Sequence, residues 1–211
     1  GRPKNGRSPG AFPQSRVLAL CEVGTHVIWK CLIKPIRCAE ITMLKALMRF
    51  LAPDMLLLWD RGFLSFDNVR DVLAGQAHVL ARIKKNNVFS KLKTLADGSY
   101  LAKIYPSTHH RNSDRGGLQV RIIEYQIDDP GRPNSGTPHR LLTTLLDADV
   151  DPAKRLIELY HERWEIEVAI KELKTHQKQR PVPRSQMPVG VVPEVSGLLL
   201  AHFVVRPVMF D

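Results

Sequence analysis

The segment Met55-Leu56-Leu57-Leu58-Trp59-Asp60-Arg61-Gly62-Phe63 constrains the fold more than any other stretch of this chain. An unbroken apolar row suits a parallel strand covered on both faces, because a strand with one wet face alternates apolar and polar residues. The row ends in an aspartate and then a glycine turn, so the carboxylate emerges where the strand leaves the sheet. Open α/β sheets place their ligands outside that carboxyl edge. An Asp-x-Gly turn alone is ordinary punctuation between elements. Asp60 therefore gains a role only from what else the chain brings to the same edge.

The surrounding elements follow an α/β layer pattern. Residues 16–22 and 26–34 flank Gly24-Thr25 and read as two paired strands. Ile41, Leu44, Leu47, Met48 and Leu51 fall at helical spacing in residues 40–51. A helix near residues 66–74 and a strand over 78–83 follow the Asp60 strand. Residues 86–138 differ, with two strand-like runs, 100–105 and 118–127, set among Gly, Ser, Asp and Arg clusters. They read as a small antiparallel β insertion. A strand over 141–146 resumes the core, and a long helix runs from about Pro152 to Gln177, with proline at its first turn after Asp151 as the start signal. The expected organisation is residues 1–85 as the first part of a core, opening on a basic loop over 1–15, then the 86–138 insertion, then 139–211 as the second part. Leu198, Leu199, Leu200, Phe203 and Val204 read as a buried helix bounded by Pro193 and Pro207.

On the long helix, Arg163, Glu167 and Lys174 lie 3, 7 and 14 residues beyond Tyr160. At about 100° per residue they share a sector roughly 60° wide. Leu159, Ile166 and Leu173 make a neighbouring apolar stripe that can pack on a core. From spacing alone, the i,i+4 pairs Arg163/Glu167 and Glu167/Lys171 do no more than solubilise a helix. The typed pattern Y-x2-R-x3-E-x6-K, however, resembles the signature of DDE transposases from bacterial insertion sequences. The Trp59-Asp60-Arg61-Gly62-Phe63 segment resembles the second-aspartate motif of the same family, and it precedes the glutamate helix in the family's order.

The resemblance covers essentially the whole chain and implies an RNase H-like core interrupted by the β insertion. It also implies chemistry. Breaking and joining phosphodiesters with two metals requires carboxylates around a pair of Mg²⁺ or Mn²⁺ ions about 4 Å apart, and hard cations of this kind take oxygen ligands. Asp60 would be the second aspartate and Glu167 the closing glutamate, both as metal ligands. Tyr160, Arg163 and Lys174 would hold DNA phosphates. Arg suits a bidentate grip and Lys a mobile point charge. Lys171 and Lys178, with Arg180 and Arg184, extend the same cationic track.

The family's first aspartate has no counterpart. Asp54 is the one aspartate before Asp60, and six extended residues separate the two by roughly 20 Å, too far to share a metal pair. The expectation is an incomplete core, truncated before the first catalytic aspartate and also at its C-terminus, that does not run the full reaction alone. Two other readings stand beside it: an RNase H-like nuclease that only hydrolyses, and a non-catalytic basic DNA-binding remnant.

A net charge of +10 over 211 residues points to a polyanionic partner. Double-stranded DNA, as transposon ends and target, is the partner the resemblance implies, with a homodimer assembled on it. Cys21, Cys31 and Cys38 are odd in number and lack CxxC spacing, which suits free thiols in a reducing compartment. The apolar run over 197–205 is too short to span a bilayer. A cytoplasmic, nucleoid-associated bacterial protein is expected. His109-His110 reads as a solvated pair, Trp29, Trp59 and Trp164 as packed residues. Any base stacking in the insertion would fall to Tyr100 or Tyr105.

Overall fold

The computed structural model describes residues 4–5, 8–9, 15–84, 86–126, 136–164, 167 and 188–208. Its contacts divide the chain into two units, Phe50–His161 and a second built from Gly1–Arg49 with Glu162–Asp211.

The second unit opens on two-residue strands, β1 (Lys4–Asn5) and β2 (Ser8–Pro9), paired antiparallel within the segment expected as a plain basic loop. The hairpin β3 (Ser15–Cys21) and β4 (Ile28–Pro35) follows, also antiparallel. Gly24 takes φ +102°, a left-handed conformation open to glycine, between the two strands. Helix α1 (Glu40–Met48) buries Leu44 and Leu47 of the apolar set read from the sequence, with Met43 beside them, while Ile41 of that set is exposed.

The Phe50–His161 unit is a single sheet with helices. Strands β5 (Leu56–Trp59) and β6 (His78–Arg82) run parallel. Between them, α2 (Phe66–Ala74) starts on Ser65, whose hydroxyl accepts the Asn68 N–H, and stops at Gly75. Strand β7 (Lys93–Thr94), β8 (Tyr100–Ile104), the short helix α3 (Thr108–Asn112), β9 (Leu118–Gln126) and β10 (Pro138–Thr143) follow. The spatial order is β5-β6-β10-β9-β8-β7, and every neighbouring pair except β5/β6 is antiparallel. The strands expected as an insertion over 86–138 are thus built differently: they continue the sheet of β5 and β6. The join is β10, which pairs with β6 on one side and β9 on the other. The periodicity of β8 and β9 shows that they are strands but not which sheet completes them.

Both faces of this sheet are covered, and adjacent residues serve opposite faces. Leu80, Ile123 and Leu141 pack with Ala153, Leu156 and Tyr160 of α4 (Ala153–Glu162). Ile122 and Leu142 instead join Ile83, Tyr100, Ala102 and Val120.

Helix α4 ends at Glu162, and Arg163-Trp164 form a turn. The expected continuous helix from Pro152 to Gln177 is therefore interrupted at Arg163-Trp164, and its part beyond Glu167 lies outside the described residues. Helix α5 (Pro188–Val208), in the second unit, begins earlier than Pro193 suggested and packs against β4. It buries Val191 and His202 but leaves Val192, Leu200, Phe203 and Val204 exposed, which corrects the expectation of a buried helix.

Candidate active site

Asp60 follows the last residue of β5, at the strand's carboxyl end, as its apolar run requires. By alternation it continues the row of Leu56 and Leu58, which packs towards α4. Its Oδ1 accepts the Arg61 N–H at 2.8 Å, and its carbonyl accepts the Phe63 N–H at 3.1 Å, closing a turn through Gly62. Asn68 is buried on α2 and donates to the Phe63 carbonyl at 2.7 Å, anchoring the far end of that turn. Asp60 itself is exposed. Its second carboxylate oxygen carries no hydrogen bond among the described residues. An exposed, outward oxygen donor on a fixed turn fits a hard divalent cation such as Mg²⁺ or Mn²⁺. Asp54 begins the other end of the strand in a left-handed turn, φ 64°, with its N–H donated to the Gln76 carbonyl. The two aspartates are on opposite ends of β5.

Tyr160 is 4% exposed, in the apolar layer between α4 and the sheet. Its hydroxyl donates to the Trp59 carbonyl at 3.0 Å, across 101 residues of sequence. The helix motif and the aspartate motif are therefore physically joined at the residue preceding Asp60. A buried phenol held by a backbone carbonyl anchors the strand end; this geometry does not present it to a phosphate. His161, one residue on, meets the Tyr125 ring edge-on at 5.8 Å, and Tyr125 stacks on His139 at 5.4 Å.

Arg163 and Glu167 belong to the other unit. Arg163 Nη1 lies 3.9 Å from Glu167 Oε1, a long ion pair with the glutamate side chain 54% exposed. The Glu167 N–H donates to the Trp164 carbonyl at 2.9 Å. Trp164, expected to pack, is 53% exposed, with the Arg163 guanidinium 5.2 Å from its ring centre. Lys171, Lys174 and Lys178 lie outside the described residues. Among the described residues no group of three or more His, Cys, Asp or Glu side chains converges.

Of the residues named for base stacking, Tyr100 is buried, with its hydroxyl donated to Glu124 Oε1 and approached by Arg140, so only Tyr105 stays accessible. His109 and His110 lie in α3, where His110 Nδ1 is 2.8 Å from the Ser107 hydroxyl.

Sequence reasoning missed Asp97 and Arg121, which meet below α4. Asp97 lies in the turn between β7 and β8. Its carboxylate binds the Arg121 guanidinium and accepts the Ala153 N–H at 2.8 Å. Burial alone would raise the Asp97 carboxyl, but the Ser99 and Ala153 donors and the Arg121 charge together hold it below the usual aspartate range. One signal was available: Arg121 interrupts Val120, Ile122 and Ile123 in a strand buried on both faces.

The comparisons with known proteins agree with the motifs. A family model described as "Transposase DDE domain" matches residues 2–203. The chain is 27% identical over 203 residues to "Transposase InsG for insertion sequence element IS4" of Escherichia coli (strain K12). That alignment covers 94% of this chain and 45% of the relative, so the chain spans under half of that protein's length.

Proposed function

Because this chain belongs to the transposase DDE domain family, we propose that it is catalytic-core sequence of an insertion-sequence transposase, with Asp60 and Glu167 as two of its metal-binding carboxylates. The observation that carries this reading is the Tyr160–Trp59 hydrogen bond. It joins two motifs that are far apart in sequence, at the strand end where an α/β sheet offers its ligand site. The bond orients the Trp59 peptide and the Gly62 turn holds Asp60, so that a carboxylate oxygen with no hydrogen bond among the described residues is offered to a cation. Divalent ions bound there would activate the attacking oxygen and stabilise the leaving one.

DNA is the substrate class that this reading implies. Arg163 would grip a phosphate near Glu167, and Lys171, Lys174 and Lys178 would extend the contact along the backbone. Tyr160 would act differently, by holding Asp60 in place. No aspartate precedes Asp54 in this sequence, and Asp54 is at the wrong end of β5. These residues would bind DNA ends, singly or as a pair of copies. The net charge of +10 also favours a second reading, in which the chain acts only as a basic DNA-binding remnant.

Isothermal calorimetry with Mn²⁺ on the chain and on Asp60→Ala and Glu167→Ala tests the first reading. Binding weakened by either substitution is expected; a folded protein whose Mn²⁺ binding ignores both would refute it. For DNA, log affinity should fall with log salt at a slope of about −0.9 per phosphate contacted, and a flat dependence would rule out both readings.

A further inference from the structure

Arg121 is 0% exposed, and four of its N–H groups are committed. Nε donates to Ser99 Oγ at 2.8 Å, and one terminal nitrogen donates to the carbonyls of Asp147 at 3.2 Å and Asp151 at 2.7 Å. The other terminal nitrogen binds Asp97 Oδ2. Asp97 is as fully used: Oδ1 accepts the Ser99 N–H at 3.1 Å and its hydroxyl, while Oδ2 takes the Arg121 guanidinium and the Ala153 N–H.

These bonds converge on the start of one helix. The Asp147 and Asp151 carbonyls belong to the loop leading into α4, and Ala153 is its first residue. Pro152 has no N–H, so the Ala153 amide is among the first unpaired donors of that helix. A local cap would come from Asp151. Here the acceptor is Asp97, 56 residues upstream, held by an arginine from a third element. Seven residues further along α4, about 10 Å at the helical rise, Tyr160 meets the Trp59 carbonyl. A small axial slip of α4 would separate a 3.0 Å pair.

We propose that Asp97 and Arg121 are positioning residues: they fix where α4 begins, and so bring Tyr160 to the Trp59 carbonyl and hold the strand end that carries Asp60. The functional half of this inference rests on Asp60 being a metal ligand; the mechanical half does not. Apolar residues of similar volume could fill the space under α4. They could not accept the Ala153 amide or bind the two carbonyls, which are the contacts that set the helix along its own axis.

The test is hydrogen exchange by mass spectrometry on wild type, Asp97→Asn, Arg121→Lys and Tyr160→Phe, well below their unfolding temperatures, paired with Mn²⁺ calorimetry. In Asp97→Asn and Arg121→Lys, peptides covering 153–160 and 56–60 should exchange about tenfold faster or more, with 138–143 unchanged. Tyr160→Phe should reproduce the effect at 56–60 alone. Mn²⁺ affinity should fall several-fold in all three. Faster exchange confined to 95–99, or spread evenly through the unit, would overturn the proposal. Wild-type Mn²⁺ affinity retained in Asp97→Asn would overturn its functional half. If the wild type binds no Mn²⁺ but 153–160 and 56–60 still respond together, the metal assignment of Asp60 fails and the positioning of α4 stands. Should Asp97→Asn not fold, Ser99→Ala removes one hydroxyl, leaves the ion pair, and makes the same comparison at smaller amplitude.

Discussion

The two units of this protein hold their candidate carboxylates by different means. Around Asp60, strands are buried on both faces, and Leu80, Ile123 and Leu141 are almost fully enclosed. Hydrogen bonds there cross 101 residues at Tyr160 and 56 at Asp97. In the unit containing Glu167, β3 and β4 form a two-stranded sheet with mostly half-buried residues, and four large apolar residues of α5 face outward. Such a hairpin depends on the helices packed on it, α1 and α5. One carboxylate is therefore set by a cross-linked lattice, whereas among the described residues the side-chain contact of the other is a 3.9 Å ion pair with Arg163, four residues away. Placement of Asp60 should depend on distant residues, and placement of Glu167 on near ones.

Core truncation gives the largest test of that contrast. Ile123→Ala should cost about 2–5 kcal/mol in urea unfolding, and Leu47→Ala in α1 should cost less; equal losses would erase the difference. Next comes Tyr160→Phe, which leaves the Trp59 carbonyl without its donor and should cost about 1–3 kcal/mol. Acid should then separate the units further. The Asp97 carboxyl is held below its unfolded value of about 3.9, so its stabilisation is fully present above that pH and is lost as pH falls through the folded value. Urea midpoints measured between pH 7 and pH 3 should show this loss in wild type and a flatter profile in Asp97→Asn; identical slopes would mean that the pair contributes nothing. Smallest of all, Leu200→Gln with Val204→Thr should change stability by no more than about 0.5 kcal/mol per site. Light scattering should show less self-association, and a large loss of stability instead would mean that these side chains are packed after all.

Local chemistry was legible where it acts locally. Helix α2 forms where it was expected, near residues 66–74, and its ends are local too, with Ser65 capping it and Gly75 ending it; β5 was legible because its apolar run has no polar alternate. The break after Glu162 was not legible. No Gly or Pro marks Arg163-Trp164, and the apolar repeat Leu159, Ile166, Leu173 continues in register across it. Periodicity reports which residues could share a face, not whether the backbone stays helical between them. The Asp97–Arg121 pair escaped for another reason: its partners are 22 to 56 residues apart and form no pattern in one dimension. The apolar run in α5 has the composition of a core helix, and what decides its burial is the area its neighbours offer, which composition does not record.

The position of β10 in the sheet has a consequence for how the chain is made. Strand β6 gains its second neighbour only when Leu141, Leu142 and Thr143 pair with Arg82, Ala81 and Leu80. On a ribosome the chain must grow from Arg82 to Thr143 before that edge can close, which at about 5–20 residues per second takes several seconds. Until then β6 and β9 each present an open, apolar edge of the kind that pairs with other chains. Yield in a cell is thus set partly by how quickly residues 83–137 leave the exit tunnel, and slower translation through that stretch should send more of the product to chaperones or aggregates.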